Sequence, residues 1–274
     1  MMMRMAVVAA AILAAGPASA QDAWAAVAPE NLWVLDTSKG RVLVVLAPEA
    51  APRHVERIRT LTEQGFYDGL RFHRVIPGFM AQGGDPEGTG AGGSDLPDVP
   101  GEFTFRRGRD AAFAPLPQRP GAPLEGLVGV LPVTTQPDAQ MMVTADFRVP
   151  AVPRFCEGVL GMARNNNPDS ANSQFFLMTG ENRGLNGQYT ALGRVVDGME
   201  AVTALKAGDP ARDGAVGDDA DTIVRARLAA SIPEAERPVV RIAAPGSAEM
   251  TAALAASRDA CDVEPPVQVA GGGA

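Results

Sequence analysis

Histidine and cysteine are scarce in this chain of 274 residues, with two of each. Two His and two Cys do not make an ordinary four-ligand zinc site unless all four converge, and the cysteines lack the close spacing of such sites, so no metal is expected. Lysine is limited to Lys39 and Lys206, and acidic residues outnumber basic ones for a formal net charge of −8. Such a balance offers nothing to a polyanion, which argues against nucleic acid as a partner. Long hydrophobic runs are missing too: no stretch reaches the roughly 20 apolar residues that span a bilayer. What is present excludes disorder, because 46% of the residues are hydrophobic, enough for a real core. The 30 Gly and 23 Pro then point to a loop-rich fold and away from a helical bundle.

Residues 1–20, MMMRMAVVAAAILAAGPASA, carry Arg4, an apolar run from Met5 to Ala15, and the small-x-small ending Ala18-Ser19-Ala20. This pattern predicts a secretory signal peptide cleaved after Ala20. The bias to Ala, Arg, Gly and Pro over Lys is typical of high-GC bacterial genomes, so a periplasm is the expected destination. In that oxidising compartment Cys156 and Cys261 are expected to pair. Two separate buried thiols are the alternative, since the Cα separation decides whether a bridge closes.

Apolar positions crowd Leu32 to Leu35 and Val42 to Leu46 around Thr37-Ser38-Lys39-Gly40, which reads as a hairpin. Pro52 opens a helical stretch with Val55, Ile58 and Leu61 at helical spacing and Gly65 as its stop. His54 falls on the polar face of that stretch and is expected in solvent. A second helix is predicted with Asp197 as N-cap, Met199, Val202 and Leu205 on one face, and Gly208 as the stop. Strand patterns cover Ser173 to Met178, Tyr189 to Val196 and Thr222 to Leu228. Many short strands with two helices predict a mainly β protein, a closed or nearly closed barrel with capping helices.

The main domain is placed at 31–232, with a Pro-rich insertion at about 104–157 and a C-terminal extension at 233–274. The insertion is read as an ordered surface element without long central strands or helices, because its eight prolines break both. Within the extension, Val239 to Ile242 and Ser247 to Ser257 predict one strand and a short helix. Gly88-Thr89-Gly90-Ala91-Gly92-Gly93 fits the dinucleotide-binding fingerprint, but the residues that follow, Ser94 to Pro100 with two prolines, do not open the helix that would hold a pyrophosphate. A glycine turn with positive φ angles explains it better.

The densest string runs from Phe66 to Asp85, FYDGLRFHRVIPGFMAQGGD, and a second comprises Gly161-Met162-Ala163-Arg164 followed by Ser170-Ala171-Asn172-Ser173-Gln174-Phe175-Phe176. These strings resemble the cyclophilin family of peptidyl-prolyl isomerases, over roughly Leu32 to Leu228 with the insertion as an interruption. The resemblance implies an eight-stranded antiparallel barrel capped by two α-helices, activity on proline-containing polypeptides, and no cofactor. It places Arg74 as the catalytic residue and Phe79, Met80, Phe176 and Leu185 around the proline ring. Gln82 and the backbone around Ala163, Arg164 and Asn165 would hold the substrate chain, Gln174 would line the neighbouring subsite, and Tyr189 would stand where many members have His. Gly184 falls where many eukaryotic members have Trp, which implies weak cyclosporin binding.

The chemistry asked of such a site is rotation about an X–Pro bond, whose barrier of about 18–20 kcal/mol is the loss of amide resonance. No bond breaks and no proton need move, which leaves His73 a structural role. An apolar pocket for the ring and a cation aimed at the prolyl nitrogen suffice in principle. Arg74 suits that task because it is permanently charged and donates from one planar group. Each of these residues also has an ordinary reading as core or surface; it is their joint order that favours the isomerase. A cyclophilin-like module that grips proline segments without turnover is the alternative. The oligomeric state is open, with a monomer favoured.

Overall fold

The computed structural model describes residues 23–118 and 121–271; the signal peptide expected at 1–20 and the last three residues lie outside the described residues. Eight strands form one antiparallel sheet in the order Ile223–Leu228, Leu32–Thr37, Gly40–Leu46, Ala191–Asp197, Val159–Met162, Phe175–Met178, Met80–Gly83 and Arg74–Ile76. The sheet curls so that its ends meet: Ile223 donates to the Leu70 carbonyl at 2.8 Å, Gly69 to that of Ile223 at 2.7 Å, and Val75 to that of Gly214 at 2.9 Å. Those bonds use edge groups that an open sheet would leave bare.

Local chemistry accounts for the first hairpin. Thr37 Oγ1 donates to the Gly40 carbonyl at 2.7 Å and accepts from the Lys39 amide at 3.1 Å, while Gly40 takes φ +134°, which a side chain resists. Helix α1, Pro52–Glu63, begins at a proline whose missing N–H costs nothing there and ends before Gly65 at φ +70°. Its next free amides, on Arg53 and His54, donate to the Glu102 carboxylate at 3.1 Å each.

Two expectations need correction. His54 is fully buried and its Nδ1 lies 2.7 Å from Glu102, because the loop carrying Glu102 covers the helix start and removes that face from water. The second helix, α2, is only Met199–Thr203, with Gly198 as its N-cap at φ +83°. Asp197 remains in the preceding strand. A Cβ at 198 would strike the Arg41 carbonyl, so the chain must turn at glycine, and Leu205 is buried from the loop beyond the helix.

Strand alternation separates two apolar layers. Trp33, Leu35, Val44, Val75, Ala81, Leu160, Phe175 and Leu177 fill the barrel, with Ile58 and Leu61 of α1 and Val202 of α2 closing it. Their neighbours in sequence, Met80, Phe176 and Met178, point outward to a second cluster with Phe105, Val128, Leu131, Val133, Ala151 and Phe155. These partners come from the Pro-rich region, which forms its own five-stranded sheet of three- to five-residue strands: Phe105–Arg107, Val149–Pro153, Leu131–Thr135, Leu124–Val128 and Phe113–Pro115.

Helix α3, Ala248–Ala256, is capped by Ser247, whose hydroxyl accepts from the Met250 amide at 3.1 Å. Strand Val239–Ala243 lies between Trp24–Ala26 and an additional strand, Val267–Ala270. Met250, Leu254, Ala260 and Val263 pack on Ala114, Leu116 and Leu127 of the Pro-rich region. Cys156 and Cys261 form a disulfide with Cα atoms 5.1 Å apart, so the pairing expected from compartment is the geometry found. Among the described residues no helix is long and apolar enough to cross a membrane.

Candidate active site

Register assembles the site on the outer face of the barrel. Arg74 pairs directly with Gln82, Gln82 with Phe176, and Phe176 with Gly161, so the four form one row across adjacent strands. Met80 lies two residues from Gln82 on the same side, as period-two alternation requires. A Cβ at 161 would overlap the Phe176 ring, so the glycine makes room for that ring to lie over the strand.

A cavity of about 180 Å³ is lined by Arg74, Phe79, Met80, Gln82, Ala163, Arg164, Phe176, Leu185 and Tyr189. All nine are residues that the sequence assigned to the site. Met80 and Phe176 are almost entirely buried and give the cavity an apolar floor. Tyr189 stands edge-on to Phe176 with ring centroids 6.0 Å apart, and Phe155 stacks behind Phe176 at 5.8 Å. An apolar floor of this kind suits a nonpolar ring.

Three hydrogen bonds to oxygen acceptors aim Arg74. Its Nε donates to the Asp213 carbonyl at 2.9 Å, Nη2 to the Asp213 carboxylate at 3.1 Å, and Nη1 to Gln82 Oε1 at 3.2 Å. The guanidinium carbon lies 6.0 Å from the Phe79 ring centroid. The Gln82 amide passes the order on, donating to Gln174 Oε1 at 2.8 Å, and Gln174 donates to the carbonyls of Gly90 and Gly92 at 3.0 and 2.8 Å. Since each amide has a donor end and an acceptor end, this chain fixes which end of Gln82 faces the arginine.

The glycine turn that closes the chain is held by Asp85. Its carboxylate accepts from the amides of Glu87 and Thr89 at 2.9 Å each and from Gly90, and Gly88 and Gly90 have φ of +67° and +86°. The glycines therefore serve a turn, as expected. Burial acts to raise the Asp85 carboxyl, but these backbone donors outweigh it and hold the group below the ordinary carboxylate range. His73, beside it, is pushed below the ordinary imidazole value of 6.5, mainly by burial, with Asp85 opposing and the Arg74 charge adding. Its burial beside the glycine turn is consistent with a packing role.

Beyond Arg164 and Gln82 lies a second, larger cavity of about 670 Å³, which also takes in Gly90 to Ser94, Asp98, Asn165, Asn172 and Gln174. Asn165 and Gln174 thus flank the neighbouring space and do not touch the first. Sequence reasoning missed Asp213, which lies far along the chain and carries no motif; Phe103, in the Gly101-Glu102-Phe103 segment that the resemblance sets beside a neighbouring subsite, joins the site through Arg164. Sequence reasoning also treated Arg164 as a backbone contact. The side chain instead lines both cavities, with its guanidinium 4.3 Å from the Tyr189 centroid and 5.8 Å from that of Phe103. No residue of 104–157 lines either cavity among the described residues.

The fold has matches among known proteins. The family model described as cyclophilin type peptidyl-prolyl cis-trans isomerase matches residues 32–228. A probable peptidyl-prolyl cis-trans isomerase of Brucella suis is 37% identical over 238 residues, covering 83% of this chain and 96% of its own length. A peptidyl-prolyl cis-trans isomerase of Schizosaccharomyces pombe is 33% identical over 165 residues, 60% of this chain and 78% of its own. The crystal structure of a cyclophilin from Hirschia baltica superposes with a TM-score of 0.81 at 34% identity, over 90% of this chain and 93% of that one.

Proposed function

The chain belongs to the cyclophilin-type peptidyl-prolyl cis-trans isomerase family, and from that membership we propose that it accelerates X–Pro isomerisation in exported proteins as they fold, with Arg74 as the catalytic residue. The observation that carries the assignment of Arg74 is its position on the rim of a cavity of about 180 Å³ with Met80 and Phe176 as its apolar floor, held by Asp213 and Gln82. A ring seated on Met80 and Phe176 leaves its nitrogen near the guanidinium. As the amide twists, resonance fails and the nitrogen becomes pyramidal and basic, so an N–H donor grips it harder in the transition state than in either planar isomer. Only such a difference accelerates the step. Each decade of rate needs about 1.4 kcal/mol, and a charge-assisted hydrogen bond of about 1.5–3 kcal/mol supplies one or two of them.

The export reading is supported by residues 1–20 and by the Cys156–Cys261 disulfide, which suits an oxidising compartment. X–Pro steps otherwise take tens to hundreds of seconds, slow enough to limit folding. The test of the activity is exchange spectroscopy of an Ala-Pro peptide. Wild type is expected to accelerate the exchange, and Arg74→Ala to lose about 10- to 100-fold in kcat/KM. A wild type without acceleration would leave only the proline-gripping module, and an unaffected variant would remove Arg74 from the mechanism. Cell fractionation with N-terminal sequencing tests export; the mature chain is expected to begin at Gln21.

A further inference from the structure

The lining of the site is richer in arginine than the acidic molecule as a whole. The chain carries a net −8, yet the charged residues lining the two cavities are Arg74, Arg164 and Asp98. Arg164 is the ridge between the cavities, half-buried against Tyr189 and Phe103. Its N–H groups meet neutral acceptors: Nε and Nη2 donate to the Gln188 carbonyl at 3.2 and 2.9 Å, and Nη1 to the Asn165 carbonyl at 2.8 Å. Among the described residues no carboxylate forms an ion pair with it, whereas Arg74 has Asp213 at 3.1 Å.

The neighbouring acids are turned to other donors. Glu102 serves the start of α1, Asp169 accepts from the Gly101 amide at 2.9 Å, and Asp98 accepts from Asn172 at 3.0 Å. A guanidinium has five N–H donors, and those three bonds use three of them. The remaining two, one on each terminal nitrogen, are left for a further acceptor, and a carboxylate is the strongest partner for them. The flanking rings hold the guanidinium in place, which lowers the entropy cost of using it.

Resting on the isomerase reading above, we propose that Arg164 is a specificity-determining residue, selecting proline segments with an Asp or Glu side chain within two residues of the proline. A lysine in the same position meets an unneutralised cation and is disfavoured.

The test uses the mature chain and a peptide set in which each position flanking the proline is in turn Glu, Gln or Lys. Exchange rates give kcat/KM, and chemical-shift titration of the same peptides gives binding independently of turnover. At low salt the wild type is expected to favour one Glu peptide over its Lys counterpart by about 10-fold, with Gln between them and the ratio shrinking at high salt. Arg164→Gln is expected to bring the ratio close to one, and Arg164→Lys, which keeps the charge, to restore part of it; a merely structural role would change all peptides together. Equal values across the wild-type series, or a ratio that survives in Arg164→Gln, would overturn the proposal. Slow exchange of every peptide with the Glu preference intact in binding would count against the isomerase reading and leave the charge selection standing.

Discussion

At the scale of single residues, burial decides roles that side-chain chemistry leaves open. His73 and His54 are both buried, but only His54 has a carboxylate partner, Glu102. Among the described residues His73 has no carboxylate bonded to its ring, and burial holds its proton affinity below the ordinary 6.5. The unfolded chain therefore binds a proton at a higher pH than the folded one does. Stability from neutral His73 is complete above about pH 6.5 and is lost as pH falls from there towards the folded value. Carboxylates held low, such as Asp36, Asp85 and Glu102, add a second loss near and below pH 4. Denaturant midpoints are expected to fall between pH 7.5 and 5, and in His73→Gln to stay nearly flat over that interval. Equal slopes for the two proteins would show that another group titrates there.

At the scale of elements, local signals end where another segment takes over. The start of α1 was legible from Pro52 and its end from Gly65, but nothing in its twelve residues announces that the capping acid arrives from Glu102. Helix periodicity placed His54 on a polar face, and a loop distant in sequence buried that face. Glu102→Ala removes the acceptor for two helix amides and leaves the His54 ring without its partner. A loss of about 2–3 kcal/mol is expected from equilibrium urea unfolding. A change under about 0.5 kcal/mol would show that water replaces the carboxylate. The barrel strands were legible because alternation reports which side faces the core. It could not report that the outward side of Phe175–Met178 would also be covered, since a second sheet does that from another part of the chain.

Over the whole molecule, the Pro-rich sheet and the C-terminal extension form one support behind the smaller cavity. Arg154, almost fully buried, sits among Glu125 at 2.8 Å, Glu181 at 3.0 Å and Asp259 at 2.7 Å, tying the Pro-rich sheet, a loop beside the site and the extension together. The disulfide adds a covalent link one residue from Phe155, which stacks on Phe176. Bridging a separation of 105 residues restricts the unfolded chain by up to about 4–5 kcal/mol. Cys261→Ser is expected to lower the unfolding free energy by a few kcal/mol and to raise KM for an Ala-Pro peptide more than it lowers kcat, because it loosens the backing of the pocket and leaves Arg74 in place. Unchanged KM would show that Phe155 holds its position without the link.

What the sequence determined by itself is whatever depends on near neighbours: the hairpin at Ser38-Lys39, the two ends of α1, the inward and outward sides of each strand, and the ordered run from Arg74 to Gln82 that marks the site. Tertiary structure alone decided that His54 is buried, that Cys156 lies within bonding reach of Cys261, that Asp213 aims Arg74, and that the Arg164 side chain stands between two cavities. The physical reason is separation along the chain. Propensity, capping and alternation act over a few residues, whereas these four facts rest on contacts between segments up to a hundred or more residues apart, which packing creates and no local pattern records.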